Sequence, residues 1–141
     1  PIAVAAAMQL HDKFGVNKPW CFNRKEAKDH GEGGTLVGAR LTGRILIVDD
    51  VISAGTSVRE SVELIRAAGA QPCGVAIALD RMERGLGELS AVQEVSRDYG
   101  IPVISIVNLD DLAGHLAGKA EWADTLAAIQ TYRAAYGVEA A

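Results

Sequence analysis

Four consecutive apolar residues, Ile45-Leu46-Ile47-Val48, end in two adjacent carboxylates, Asp49 and Asp50, and a run of small residues from Ser53 to Ser57 then leads into an amphipathic segment. Apolar residues without alternation are the pattern of a strand buried on both faces of a parallel sheet. From Ser57 to Ala68 the pattern changes to helical spacing, with Val58, Val62 and Ile65 on one face and Arg59, Glu60, Glu63 and Arg66 largely elsewhere. Gly69 is placed to end that helix. The same alternation recurs downstream. Gly74 to Leu79 reads as a buried strand, Leu86 to Tyr99 as a helix, Pro102 to Val107 as a further strand and Leu109 to Leu116 as a helix. In the last segment, Glu121 to Tyr136, the stripe Trp122, Leu126, Ile129 and Tyr132 predicts a terminal packing helix. Repeated strand and helix units predict an α/β fold, a mostly parallel sheet flanked by helices with right-handed crossovers.

The first third of the chain is patterned differently. Pro1 to Gly15 is rich in alanine and apolar nearly all round, which predicts a helix buried against a sheet and closed by Gly15. Lys18 to Asn23 reads as a short strand with Pro19 at its start, and Thr35 to Ala39 resumes a β pattern. Between them Arg24 to Gly34 has no apolar periodicity and carries glycine at 31, 33 and 34, so a long flexible loop on a β-hairpin is expected. His11 and His115 read as surface helix residues.

With 141 residues the chain suits one domain, 1–141, around one core. Hydrophobic residues at 49% and charged residues at 23% exclude a disordered chain. The longest apolar runs cannot span a bilayer and the opening residues lack the basic region of a signal peptide, so no membrane partner is expected and the expected compartment is the cytoplasm. A net charge of −4 gives no general attraction to nucleic acid. Cys21 and Cys73 form no CxxC pair, and no histidine stands at zinc-finger spacing, which argues against a protein-built metal cage.

The segment Ile45 to Ser57 carries the chemistry. Small residues at Ser53, Ala54, Gly55, Thr56 and Ser57 let backbone N–H groups approach an anion, and the helix that follows adds partial positive charge. Asp49 and Asp50 cannot also serve a phosphate, because like charges repel; they suit hydroxyls, or a metal carried by the same ligand. A phosphorylated sugar meets both demands. The plainer alternative is that Asp49 and Asp50 end a strand while serine and threonine cap a helix. For Arg24 to Gly34, composition alone favours a solvated charged turn.

The run VDDVISAGTS resembles the phosphoribosyl pyrophosphate (PRPP) binding motif of type I phosphoribosyltransferases, and two other stretches, NRKEAKDHGEGG at 23–34 and LDRMERG at 79–85, narrow the resemblance to orotate phosphoribosyltransferases. The similarity runs along the whole chain. It implies transfer of ribose 5-phosphate from PRPP to orotate, with Mg²⁺ held mainly by PRPP and water and no direct protein ligand required. On this resemblance Arg24, Lys25, Lys28 and His30 fall on the functional positions of a lid, the 24–34 loop, that closes over PRPP from the other subunit of a homodimer. Lys25, Lys28, His30, Asp49 and Asp50 are then the candidate catalytic residues. PRPP binding falls to Arg24, Lys25, Lys28, His30, Asp49, Asp50 and the 53–57 turn, and orotate binding to Ser53 and Arg81, with Arg84 the competing candidate; the plainer alternative is that Arg81 pairs with Asp80, Glu83 or Asp50. Cations that arrive only on closure would stabilise the charge gathering on departing pyrophosphate and exclude water.

Ser53 stands where the family usually has threonine. The family also carries an N-terminal strand, a Tyr-Lys-Gly loop and much of a hood subdomain ahead of the segment that begins here, so the chain is expected to match the C-terminal two-thirds of such an enzyme. Two other functions fit the shared motif: transfer to a different base, or a PRPP-sensing regulator without catalysis. The lysine-rich loop together with Asp80-Arg81 disfavours the first, and the acidic chain with no basic face disfavours a regulator acting on DNA.

Overall fold

The computed structural model describes residues 2–28, 34–53, 55–85 and 87–138, with backbone alone for residues 25–28 and 34–35. In chain order the elements are α1 (Ile2–Phe14), β1 (Cys21–Lys28), β2 (Gly34–Gly38), β3 (Arg44–Val51), α2 (Thr56–Ala67), β4 (Gln71–Asp80), α3 (Ala91–Tyr99), β5 (Val103–Asn108), α4 (Leu109–Leu116) and α5 (Ala123–Tyr136), with a 3₁₀ turn at Ala120–Trp122. β3, β4 and β5 form a parallel sheet in that order, and β1 and β2 form a separate antiparallel hairpin. This is the α/β architecture expected from the alternation of strands and helices.

The core lies between one face of the sheet and helices α2 and α3. Val58, Val62 and Ile65, the face predicted for α2, pack with Ile47, Val75, Ile77, Ala91 and Val95. Val58 and Val62 are completely buried, each contributing about 1.5 to 3 kcal/mol relative to an exposed side chain. The opposite face differs from the expectation of a strand buried on both sides. Leu46, Ile104 and Ile106 are 54%, 65% and 83% exposed. On this side α1 leans over β3, its Ala3, Ala6, Ala7 and Leu10 lining a cleft with Trp20, Cys21, Leu46 and Val48. α1 is correspondingly less buried than its composition predicted: none of its described residues is fully buried, and Met8 and Phe14 face solvent. α5 departs in the same way, with Trp122 and Tyr132 exposed and Leu126 and Ile129 half-buried.

Two element boundaries also change. β1 continues through Lys28, so Arg24 to Lys28 are strand and not loop; it pairs with β2 from Cys21↔Gly38 to Lys28↔Gly34 across an irregularity between Asn23 and Lys28. Positions 29–33 lie outside the described residues. α3 begins at Ala91 and not near Leu86, because Ser90 forms a capping box. Its side chain accepts from Gln93 N at 3.1 Å, and Gln93 Oε1 accepts from Ser90 N at 2.8 Å. The S-x-x-Q spacing of this box was present in the sequence. His11 and His115 are exposed, as expected.

The shortened α3 frees the segment 81–90 to form a loop, and Glu94 holds that loop to α2. Glu94 is 6% exposed. Its carboxylate accepts the Gly87 N–H at 3.2 Å and lies 3.4 Å from Arg59 Nη2 on α2. Gly85 passes so close that a Cβ there would come within 2.7 Å of Glu94 Oε2. Removing a buried carboxylate with these partners strips a charge-assisted interaction from two elements at once. Glu94→Ala is therefore expected to lower unfolding free energy by about 1.5 to 3 kcal/mol, read by urea denaturation. A loss under about 0.5 kcal/mol, the range of ordinary surface substitutions, would show that the pair does not join these elements.

Candidate active site

Parallel strands bring their carboxyl ends to one edge of the sheet. Asp49 is in register with Ile77 and Val51 with Leu79; Leu79 is in register with Val107 and Asp80 with Asn108. Asp49, Asp50, Asp80, Arg81 and Asn108 therefore gather along the edge where open α/β sheets place ligands. Asp49 and Asp50 lie in the last stretch of β3, which closes at Val51.

Their carboxylates are held locally. Asp49 Oδ1 accepts the Asp50 N–H at 2.9 Å and Asp49 Oδ2 accepts from Ser57 Oγ at 2.8 Å. Asp50 Oδ1 accepts the Val51 N–H at 2.7 Å, and Asp50 is exposed. The bond from Ser57 ties the first turn of α2 back to the strand that precedes it. It also assigns that hydroxyl to the carboxylate and not to the helix cap.

Gly55 is the N-cap of α2, in the left-handed region at φ +71°, and no side chain caps the helix. The first turn contains no acidic residue either. The alternative in which serine and threonine serve as ordinary caps is thereby set aside. The N–H groups that open α2, and the partial positive charge of the helix end, are left to the ligand side of the turn. Gly55 is suited to the position: its φ favours glycine, and a Cβ would stand 3.5 Å from Arg59 Cζ and 3.6 Å from Val95 Cγ2.

From the next strand end Arg81 reaches across, its Nη2 donating to Ser53 Oγ at 3.0 Å. Arg81 Nε stands 3.1 Å from Glu83 Oε1, yet makes no hydrogen bond. The distance is that of an ion pair, but the N–H is not aimed at the oxygen. Tyr132 of α5 donates its hydroxyl to the same Glu83 Oε1. That bond, followed by burial, holds the Tyr132 phenol above its ordinary range, so it remains a donor. Met82, between Arg81 and Glu83, takes a positive φ of 53°. Its N–H donates to Asp80 Oδ1 at 2.8 Å.

The structure thus joins Asp49, Asp50, Ser53, Gly55, Thr56, Ser57 and Arg81 at one sheet edge. Arg24 sits on β1, half-buried, with Nε lacking a hydrogen-bond partner among the described residues. Its neighbour Asn23 and Asp49 both line a cleft of about 250 Å³. Lys25 and Lys28 belong to β1 by backbone, and His30 and Ala54 lie outside the described residues. Sequence reasoning named Glu83 as one of three carboxylates, with Asp80 and Asp50, able to pair with Arg81, and it is Glu83 that stands beside it. It missed Glu94 and Tyr132: Glu94 left a signal, a carboxylate on the apolar face of α3 next to Val95, while the Tyr132–Glu83 bond left none, since 49 residues separate the pair.

Residues 3–104 match the model of the phosphoribosyl transferase domain. The chain is 66% identical over 137 residues to the orotate phosphoribosyltransferase of Laribacter hongkongensis, covering 97% of this chain and 64% of that protein. To the orotate phosphoribosyltransferase of Chromobacterium violaceum it is 67% identical over 138 residues, covering 98% and 64%. It thus spans about 64% of the length of these curated relatives. Among solved structures, the orotate phosphoribosyltransferase of Francisella tularensis superposes with a TM-score of 0.79 at 29% identity, covering 97% of this chain and 62% of that one. With the domain match extending from α1 into β5 and over the whole β3–α2 turn, the chain belongs to the phosphoribosyl transferase domain family.

Proposed function

We propose that this chain is the PRPP-binding and orotate-binding part of an orotate phosphoribosyltransferase, which transfers ribose 5-phosphate from PRPP to orotate in pyrimidine synthesis. The observation that carries the reading is the uncapped, left-handed Gly55 turn set beside Asp49 and Asp50. An anion is favoured at the turn and hydroxyls at the carboxylates, and a ribose 5-phosphate offers both groups. The similarity to orotate phosphoribosyltransferases supports orotate as the acceptor.

In this reading the backbone of Ser53 to Ser57 holds the 5'-phosphate, and Asp49 and Asp50 accept from the ribose hydroxyls. A base nitrogen bonds to the anomeric carbon as the bond from that carbon to pyrophosphate oxygen breaks, and the proton on that nitrogen passes to the departing pyrophosphate. Positive charge that develops on the ribose during this exchange is favoured by the two carboxylates. Arg81 meets the orotate carboxylate, for which a guanidinium offers a planar two-pronged partner, and Ser53 lies beside it. The two adjacent carboxylates, Asp49 and Asp50, fit a magnesium ion that arrives on the substrate with most of its ligands supplied by the substrate and water. When bound, that ion would neutralise charge on the pyrophosphate. Arg24, Lys25, Lys28 and His30 act as the cationic lid, in trans across a cytoplasmic homodimer.

Two outcomes follow for the full-length enzyme. Arg81→Met should weaken orotate binding by about 1.5 to 3 kcal/mol, the worth of a hydrogen bond to a charged group, and leave PRPP KM nearly unchanged. Steady-state KM values for both substrates check this; equal loss for both would give Arg81 a structural role. Separately, co-assembly of Lys28→Ala subunits with Asp50→Ala subunits should restore activity that neither parent has, because one site of each hybrid collects both intact groups. Hybrid dimers no more active than their parents would place Lys28 in cis.

A further inference from the structure

Arg81 is held in a network that the turn it sits on cannot build alone. Among the described residues its guanidinium makes one aligned hydrogen bond, to Ser53 Oγ, while its Nε lies 3.1 Å from Glu83 Oε1 without hydrogen-bonding to it. The reason for that half-made ion pair is on the other side of Glu83. Tyr132 donates its hydroxyl to the very oxygen that faces Arg81.

Tyr132 is brought there by the end of α5, which is clamped to the Met82–Arg84 turn at several points. Val138 N donates to Met82 O at 3.0 Å and Arg84 N to Tyr136 O at 2.9 Å. Arg84 Nη2 donates to Ala135 O at 3.1 Å, and Glu83 and Gly137 form an isolated antiparallel bridge. On its far side α5 is pinned to α4 by the Arg133–Asp110 ion pair. The ring of Tyr132 rests against Tyr136 with centroids 5.0 Å apart. These bonds fix the turn with Met82 at positive φ, a conformation a non-glycine residue keeps only when its surroundings enforce it.

We propose that Tyr132 is a positioning residue for substrate selection: by occupying Glu83 Oε1 it stops Glu83 from capturing Arg81, and so keeps the guanidinium available to a substrate carboxylate. The proposal rests on the reading of Arg81 as the orotate carboxylate ligand and deepens it. Without the phenol hydroxyl, Glu83 Oε1 is free to rotate into a full hydrogen-bonded ion pair with Arg81 Nε. That pair competes with orotate for the same donors, because both competitors are carboxylates. The negative charge of Glu83 is then the source of the defect, and neutralising it should cure the defect.

The test compares Tyr132→Phe, Glu83→Gln and the double variant Tyr132→Phe/Glu83→Gln in the full-length enzyme, with Arg81→Met as reference. Tyr132→Phe should raise orotate KM by about three- to tenfold, the equivalent of one net hydrogen bond. PRPP KM and melting temperature should stay near those of the parent. In the double variant orotate KM should return to within about twofold of the parent, an amide being a weaker competitor for the guanidinium than a carboxylate. A tyrosine that merely braces the fold would lower the melting temperature and raise both KM values, with no rescue by Glu83→Gln. That pattern, or an unchanged orotate KM in Tyr132→Phe while Arg81→Met raises it, overturns the proposal and leaves the reading of Arg81 intact. An unchanged orotate KM in Arg81→Met removes the Arg81 reading, and this proposal with it.

Discussion

At Gly55 the backbone turns through φ +71° between a parallel strand and the helix that follows it, and both halves of the candidate site hang on that turn. On one side it ends β3 with two carboxylates; on the other it opens α2 with N–H groups that no side chain caps. Opposite electrostatic demands are thereby placed a few residues apart without cancelling, since the backbone supplies the positive field and the side chains the negative one. The Ser57 bond to Asp49 keeps the two halves in fixed relation. A side chain at 55 would carry the backbone penalty of that φ, its Cβ making only ordinary contacts with Arg59 and Val95.

The second strand end is held less directly. Loop 81–90 contributes the arginine but has little core of its own beyond Met82 and Ser90. It is anchored from two sides: by Glu94, which takes the Gly87 N–H while paired with Arg59, and by the end of α5, which hydrogen-bonds Met82 and Arg84. Arg59 lies on the helix that Gly55 opens, so the phosphate-favouring turn and the arginine turn share one support. A substrate that spans both depends on their separation being kept, since misplacement by an ångström can cost about a hundredfold in rate.

Much of this was legible in the sequence where local rules and tertiary structure agree. The face of α2, the α4 boundaries and the parallel pairing of the later strands followed from the alternation of strand and helix patterns, because those segments face a single buried surface. The Asp49-Asp50 pair and the 53–57 turn were legible because strand end, small residues and helix start are consecutive in the chain. The misses have physical causes. α1 reads as buried by composition but covers only part of one strand's outer side, and periodicity cannot count how many neighbours a helix has. The start of α3 was misplaced because the reading overlooked the Ser90 and Gln93 cap that settles it. β1 was cut short because a charged sequence without apolar periodicity imitates a loop even where its backbone pairs as a strand. The Tyr132–Glu83 bond was invisible because it joins two turns far apart in sequence through α5 packing.

The central claim is that the Gly55 turn and the Asp49-Asp50 pair form one ribose 5-phosphate site. Its most direct test is a titration of ribose 5-phosphate into ¹⁵N-labelled full-length protein, following backbone amide shifts. The account predicts saturable shifts that are largest at Gly55, Thr56 and Ser57, with Asp49 and Asp50 next. Saturation with the amides of 55–57 unmoved, or shifts centred on the 81–90 loop alone, would contradict it.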